Sequence, residues 1–429
     1  MSTLSSQPYK GTRDYFPEDK RTQNYIFNTW RKVVESFGYE EYGAPILEPI
    51  DIYAAKSGQE LVNDQTYVFT DRGDRTVAIR PEMTPSISRM VAARRQELAY
   101  PARLYSIANF MRYERPQRGR EREFWQLNVD IFGVDDITAD SEIITISDTI
   151  LKALGGKDGD YIIRINNRKF ISFMMSDYLD LDTEQALKMT KLFDRRTKMT
   201  EQDFKEQALQ IFDDAAPDTE RFEKISQLVN ATTIDELPEE LQTSPALDDL
   251  RAVFKSIEKA GVTAAIFDAS LMRGLDYYTG TVFEVFDTHP DNNRSLFGGG
   301  RYDGLVGLFG AEPISAVGAA PGSTMIENFL AVRGLVPEQK SLTDVYIVVI
   351  DDALDTANEV ATKLRLAGIN TEVDFTSRKI DKKIKTASKK KINTVLFVGS
   401  QDTEIFSLKN LATEQEQKLS IADIIAQFA

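Results

Sequence analysis

The 429-residue chain contains no cysteine and a single histidine, His289, and these absences remove much of the usual catalytic machinery. Without cysteine there is no disulfide framework, no thiolate nucleophile and no thiolate metal ligand. With one histidine, in the polar loop Thr288-His-Pro-Asp-Asn-Asn293, a multi-histidine zinc cage is excluded, as is a histidine-based triad anywhere outside that loop. His289 itself reads as a solvated loop residue. No apolar run reaches the roughly 20 residues that span a bilayer, and residues 1–10 are polar, unlike a secretory signal. A cytoplasmic protein with no membrane partner is expected. Chemistry then rests on arginine, lysine, carboxylates, tyrosine and hydroxyls, with any metal ion arriving on a substrate.

What is present is the composition of a soluble globular protein, 42% hydrophobic and 28% charged, and the length asks for two or three domains. The net charge of −15 argues against indiscriminate nucleic-acid binding. That charge is uneven. Residues 201–249 hold 14 acids against three bases, whereas 377–391 hold eight bases against one acid and 111–123 carry five arginines. An acidic chain with local basic patches suits an anionic partner gripped at defined places, although a single charged run is more often a solvated helix face.

Periodicity supplies the elements. Residues 18–37 are an amphipathic helix with Tyr25, Ile26, Trp30, Val33 and Val34 at helical spacing, ended by Gly38. Residues 39–49 are extended and broken by Pro45 and Pro49. A hairpin is expected over 66–80, a helix over 85–95, strands over 103–111, 124–132 and 161–166, and a helix over 139–154. Residues 168–262 are almost wholly helical and acidic. Strand character returns over 263–286, and 298–330 are glycine-rich, then helical. Residues 333–342 read as a linker, beyond which strand and helix alternate as in a small α/β domain.

Two strings carry chemistry. In the first, strands flank the loop Arg112-Tyr-Glu-Arg-Pro-Gln-Arg-Gly-Arg-Glu-Arg122, whose guanidinium groups are strong bidentate phosphate ligands. Alternation in the second strand puts Trp125, Leu127, Val129 and Ile131 on one face and Gln126, Asn128 and Asp130 on the other. The apolar set is core; the polar set faces either water or the floor of a cleft that orients a small polar ligand. The second string is Arg273-Gly-Leu-Asp-Tyr-Tyr-Thr-Gly280, leading into the strand-like Thr281-Val-Phe-Glu-Val-Phe286. It is either a hairpin entry with a surface arginine or a rigid donor fork aimed at a phosphate, with Gly274 and Gly280 admitting close approach.

These strings resemble the histidyl-tRNA synthetases, a family of class II aminoacyl-tRNA synthetases. The octapeptide at 273 is similar to the family's histidine-specific signature, and Arg112-Tyr-Glu114 with Arg115-Pro-Gln-Arg-Gly119 to its motif 2. Phe37-Gly-Tyr-Glu-Glu-Tyr-Gly-Ala-Pro-Ile46 is similar to motif 1, Arg80-Pro-Glu-Met-Thr84 to the family's Arg-Pro-Glu-Gly-Thr, and Gly298-Gly-Gly-Arg-Tyr-Asp-Gly304 to its second histidine-specific block. The resemblance implies an α+β fold: a class II synthetase-like antiparallel sheet flanked by helices, over 1–167 and 263–332, with a helical insertion at 168–262 and a C-terminal α/β anticodon-binding domain at 343–429. It implies that Arg112 binds the ATP α-phosphate and the amino-acid carboxylate, that Arg273 flanks the same phosphate, and that both are catalytic. By the same resemblance Glu114 lies near adenine, and Glu82, Met83 and Thr84 form the loop that holds the substrate ammonium. Gln126, Asp130, Tyr277 and Tyr278 contact histidine, while Arg115 and Gln117 meet the acceptor end of the tRNA. Mg²⁺ comes with ATP, no dedicated metal cage is expected, and the motif 1 proline Pro45 implies a homodimer.

The implied reaction is ATP-dependent ligation of L-histidine to tRNA-His through a histidyl-adenylate. One departure stands out: motif 3 begins at Ala316-Val-Gly-Ala-Ala-Pro-Gly322, but Met325 occupies the place of its ATP-clamping arginine. Either Arg118, Arg120 or Arg122 takes over, or ATP use is weakened. Two other readings share this core: a histidine-sensing regulatory subunit of ATP phosphoribosyltransferase, which lacks the C-terminal domain and the signature arginine, and an inactive synthetase-like RNA-binding protein.

Overall fold

A computed structural model of the chain describes residues 4–54, 64–196, 199–212, 219–272, 277–292, 294–338, 340–402 and 404–428. Two units emerge, Met1–Val336 and Pro337–Ala429.

The first unit is built on an eight-stranded sheet. Its strands are β1 (Glu40–Glu41), β5 (Ala102–Met111), β6 (Glu123–Phe132), β7 (Tyr161–Asn167), β8 (Ala265–Phe267), β9 (Thr281–Asp287), β10 (Ser295–Arg301) and β11 (Ala316–Ala319), ordered β1-β5-β6-β11-β10-β9-β7-β8. The six inner strands pair antiparallel. Only the short edge strands β1 and β8 run parallel to their neighbours, so the sheet is antiparallel at its centre and mixed at its margins. Separately, β2 (Leu47–Pro49), β3 (Tyr67–Thr70) and β4 (Thr76–Ile79) form a three-stranded antiparallel sheet, the expected hairpin with one added strand.

Helix Pro17–Ser36 starts where Pro17 can occupy the first turn without losing a hydrogen bond, and Glu18 and Asp19 meet the positive end of its dipole. Ile26, Phe27, Trp30, Val33 and Val34 form its buried stripe. That stripe and Ile143, Ile144, Ile146, Ile150 and Leu151 of helix Thr138–Ala153 cover the face of β6 that carries Leu127, Val129 and Ile131. The opposite face of the sheet is left to a second cluster that includes Ile87, Phe132, Tyr277, Tyr302 and Val306.

Between β7 and β8 the chain is helical at Arg168–Phe173, Thr183–Arg195, Glu201–Phe212, Thr219–Asn230 and Asp248–Lys259, with a π-helical turn at Met174–Tyr178. Its described acidic groups are exposed or half-buried, while Met189, Leu192, Phe193, Phe204, Phe212, Ile225 and Leu228 join the main core.

The second unit carries β12 (Val345–Val349), β13 (Thr371–Asp374), β14 (Thr394–Val398), β15 (Ile405–Asn410) and β16 (Glu416–Ser420), ordered β13-β12-β14-β15-β16. The first three are parallel, as strand–helix alternation leads one to expect, and the last two add an antiparallel hairpin that the alternation did not reveal. Of the eight bases in 377–391, Lys383 is buried and donates from Nζ to the carbonyls of Val349 (2.8 Å) and Asp374 (3.2 Å). The other seven are exposed, three of them on helix Ile380–Lys389.

Gly298–Gly300 lie inside β10, all buried. A Cβ on Gly299 would sit 2.8 Å from the Phe283 ring and closer still to the Gly318 carbonyl oxygen; one on Gly300 would sit 2.6 Å from the Thr281 carbonyl oxygen. Backbone cannot retreat as a flexible side chain can, so Gly299→Ala should lower stability by about 2 kcal/mol or more. Gly304→Ala, which meets nothing within 4 Å, should be near neutral. Urea unfolding of the two variants checks this contrast.

Candidate active site

A cavity of about 500 Å³ lies over the face of the sheet that carries Gln126, Asn128 and Asp130. Its walls come from the turn before helix Thr84–Ala93, the ends of β5 and β6, the start of helix Ser323–Val332, and Tyr277, Tyr278 and Tyr302.

At its deep end Asp130 is 2% exposed, and the Tyr302 hydroxyl donates to its Oδ1 at 2.5 Å. Gly318, opposite Asp130 on β11, makes this possible, because a Cβ there would collide with that carboxyl group. Burial pushes the Asp130 carboxyl up to about 7, and the Tyr302 hydrogen bond only partly offsets it. A second tyrosine–carboxylate pair sits nearby, with Tyr277 donating to Glu82 Oε2 at 3.0 Å. Burial first, then the facing carboxylates, hold both phenols well above the usual tyrosine range, so both remain donors. Thr84 lines the same wall, and the Tyr277 ring lies 5.0 Å from that of Tyr278 and 5.9 Å from that of Tyr302.

The shallow end is cationic. Arg112, just past β5, donates from Nε to the Pro81 carbonyl at 2.9 Å and lies over the Phe124 ring at 5.2 Å. It forms no ion pair within 4.0 Å with a described residue, which leaves its terminal nitrogens for a ligand. Arg120 also lines the cavity and pairs with Glu114 at 3.0 Å. Gln126 is fixed by donating from Nε2 to the Ala320 carbonyl at 2.9 Å.

One cleft therefore gathers Glu82, Thr84, Arg112, Glu114, Gln126, Asp130, Tyr277 and Tyr278. Met83 is different: its buried side chain packs with Ala108 and Phe110 and does not line the cavity. Glu82 and Thr84 thus reach the cleft while Met83 fills core. Arg115 and Gln117 lie on the exposed rim loop, outside the lining. Arg273, Gly274, Leu275 and Asp276 lie outside the described residues. Met325 lines the cavity where the loop bearing Gly119 passes it. Of the arginines that could replace a guanidinium there, Arg120 alone lines the cavity among the described residues. Arg122 instead donates to the Glu114 carbonyl and the Tyr9 hydroxyl and lies 4.0 Å from the Tyr113 ring centre; Arg118 is exposed. The partnership of Tyr302 with Asp130 was not foreseen, since nothing local in sequence links residues 172 positions apart. Among the described residues no group of three His, Asp or Glu side chains could hold a metal ion.

An antiparallel sheet with an arginine-bearing strand–loop–strand over one end of a polar cleft is the catalytic architecture of a class II aminoacyl-tRNA synthetase. Comparison with known proteins narrows the class. A family model for histidyl-tRNA synthetase matches residues 11–324, and one for an anticodon-binding domain matches 344–429. Curated relatives named histidine–tRNA ligase include that of Leptospira biflexa, 39% identical over 429 residues (98% of this chain, 97% of the relative), and that of Haloarcula marismortui, 36% identical over 399 residues (92% and 91%). The fold matches the crystal structure of histidyl-tRNA synthetase from Nostoc sp. PCC 7120 with a TM-score of 0.82 at 24% identity, covering 99% of each chain. It also matches an ATP phosphoribosyltransferase regulatory subunit/histidyl-tRNA synthetase from Bacillus halodurans with a TM-score of 0.76 at 21% identity, covering 94% of this chain and 100% of that one. The chain belongs to the histidyl-tRNA synthetase family.

The Asp130 carboxyl gives a direct test of the site's burial. Its value is about 7 when folded against 3.8 as an ordinary carboxyl, so between these limits the folded chain keeps a proton that the unfolded chain releases. The contribution of this group to stability therefore falls as pH rises from about 4 to about 7 and is level above. Urea unfolding of Asp130→Asn and the parent chain should show a stability difference moving in favour of the variant across that window. A difference independent of pH would contradict the burial described.

Proposed function

We infer that this chain ligates L-histidine to tRNA-His in two steps. A carboxylate oxygen of histidine attacks the α-phosphorus of ATP, the bond from that phosphorus to the bridging oxygen breaks, and pyrophosphate leaves. A ribose hydroxyl at the tRNA end then attacks the histidyl carbonyl and AMP departs. The observation that carries this reading is the polarity of one cleft, with tyrosine-held carboxylates at its deep end and, at its mouth, a guanidinium that no described carboxylate pairs.

Each end has its role. Glu82 and Thr84 suit the substrate ammonium, and Asp130 with Tyr277 and Tyr278 suits the imidazole, because buried polar groups reject analogues that leave them unpaired. Arg112, oriented by the Pro81 carbonyl and the Phe124 ring, stabilises charge building on the α-phosphoryl oxygens without reorganising at the moment of reaction. By resemblance Arg273 does so from the other side. Glu114 serves the adenine, Mg²⁺ enters bound to ATP, and Arg120 takes the terminal phosphates that Met325 cannot. Arg115 and Gln117, on the exposed loop, serve the tRNA end. What supports a ligase over a histidine sensor is the anticodon-binding match over 344–429 together with full-length relatives named as ligases. A cytoplasmic setting accords with this role; no helix among the described residues is long and apolar enough to cross a membrane.

Histidine-dependent ATP–pyrophosphate exchange, followed by charging of a tRNA-His transcript, tests the reading, and absence of exchange would overturn it. Arg112→Ala and Arg273→Ala should each lower exchange by about 10²- to 10³-fold. Arg112→Lys should also lose at least about tenfold, because a point charge cannot reproduce the bidentate fork. A variant with full exchange removes that arginine from the mechanism.

The homodimer is supported by Leu47 and Phe69, which the register of β2, β4 and β3 puts on one face of the small sheet, each 44% exposed, apolar side chains of the kind that mark interfaces. The protein should sediment at twice its 48.4 kDa chain mass, and Leu47→Lys combined with Phe69→Lys should shift it toward a single chain. A parent protein that sediments as one chain refutes the dimer.

A further inference from the structure

The cleft floor holds a side chain that neither the scheme above nor any contact within the protein employs. Asn128 lies on β6 between Gln126 and Asp130, is 3% exposed and lines the cavity. Its Oδ1 is enclosed yet accepts no hydrogen bond, and the Oδ2 of Asp130 is in the same condition. The neighbouring Gln126, by contrast, is tied to the Ala320 carbonyl. Across the ladder from Asn128 stands Ser106 of β5, whose hydroxyl makes no hydrogen bond to the amide. A buried amide left unmet is costly, and a methyl group would avoid that cost. Two unmet acceptors on one strand face of a ligand cavity are accounted for most simply by a ligand that meets both.

We propose that Asn128 is a specificity-determining residue which, together with Asp130, brackets the imidazole of bound histidine. This rests on the ligase reading for the identity of the amino acid. Same-face positions along a strand are about 6.6 Å apart, which leaves room for a planar five-membered ring between two hydrogen bonds. Asp130 accepts from one ring N–H, and Oδ1 of Asn128 accepts from the other ring nitrogen when that nitrogen carries a proton. An aliphatic or phenyl side chain would leave both groups bare and be rejected.

Isothermal titration with histidine, exchange kinetics with histidine and its two ring-N-methylated derivatives, and thermal melting decide the matter for Asn128→Ala. Histidine affinity should fall at least about tenfold, the KM for ATP should stay within about twofold, and discrimination against at least one methylated histidine should drop about tenfold. The melting temperature should hold or rise, since an unmet buried amide is gone. Unchanged affinity and discrimination would overturn the assignment, as would a parallel loss of histidine and ATP binding with a lowered melting temperature, the mark of a structural role. Should Asn128→Ala fail to fold, Asn128→Ser is read by the same criteria. Because titration needs no turnover, a parent protein that binds histidine without exchange refutes the ligase reading while still deciding the role of Asn128.

Discussion

Strand β6 is bonded to β5 along all ten of its residues and to β11 from Val129 to Phe132. A slip of one residue against either neighbour would carry Leu127, Val129 and Ile131 into the cleft and drive Gln126, Asn128 and Asp130 into the hydrocarbon of the two covering helices. Site and core are thus two faces of one register. Helix Pro17–Ser36 and helix Thr138–Ala153 hold that register by burying the apolar face, and a polar cleft on the other face follows from it. The glycines of β10 and β11 belong to the same constraint, since they let backbone come near enough for Asp130 and Phe283 to occupy the space beside them.

The deep end of the cleft shows how a protein without usable histidines or cysteines places reactive polarity. Two carboxylates are withdrawn from water, and each receives a phenol as donor, Tyr302 to Asp130 and Tyr277 to Glu82. Burial raises the phenols still further, so the donors persist at any physiological pH. The folded chain carries a cost for this in an Asp130 carboxyl raised by desolvation and in acceptors that no internal donor meets. Polar groups in that state are matched to a ligand rather than to the stability of the empty protein.

At the mouth the logic is reversed. Arg112 is oriented by a carbonyl and a ring, neither of which neutralises it, so its full charge is available to a phosphate. Arg120 is neutralised by Glu114 across an exposed loop, where an ion pair is weak and easily exchanged for a better anion. Met325 leaves the wall beside Gly119 uncharged. Among the described lining residues, arginine is therefore concentrated on the β5–β6 side of the cleft.

Much of this was legible in the chain itself. Period two in residues 124–132 separated the core face from the polar face before any partner strand was known, and helical spacing in 18–37 marked a layer that covers the core, because both depend only on local geometry and on water's exclusion of apolar surface. The strings at 112 and 273 announced polar chemistry by their residue types, and the one at 80 by its resemblance alone. Only the tertiary structure decided which groups meet. It turned Met83 into core while its neighbours reached the cleft, set three glycines inside a buried strand, buried Lys383 in a run that read as surface, and joined Tyr302 to an aspartate 172 residues away. Such contacts are set by the order in which strands pair and by the space their neighbours leave, and neither quantity is written in any local stretch of sequence.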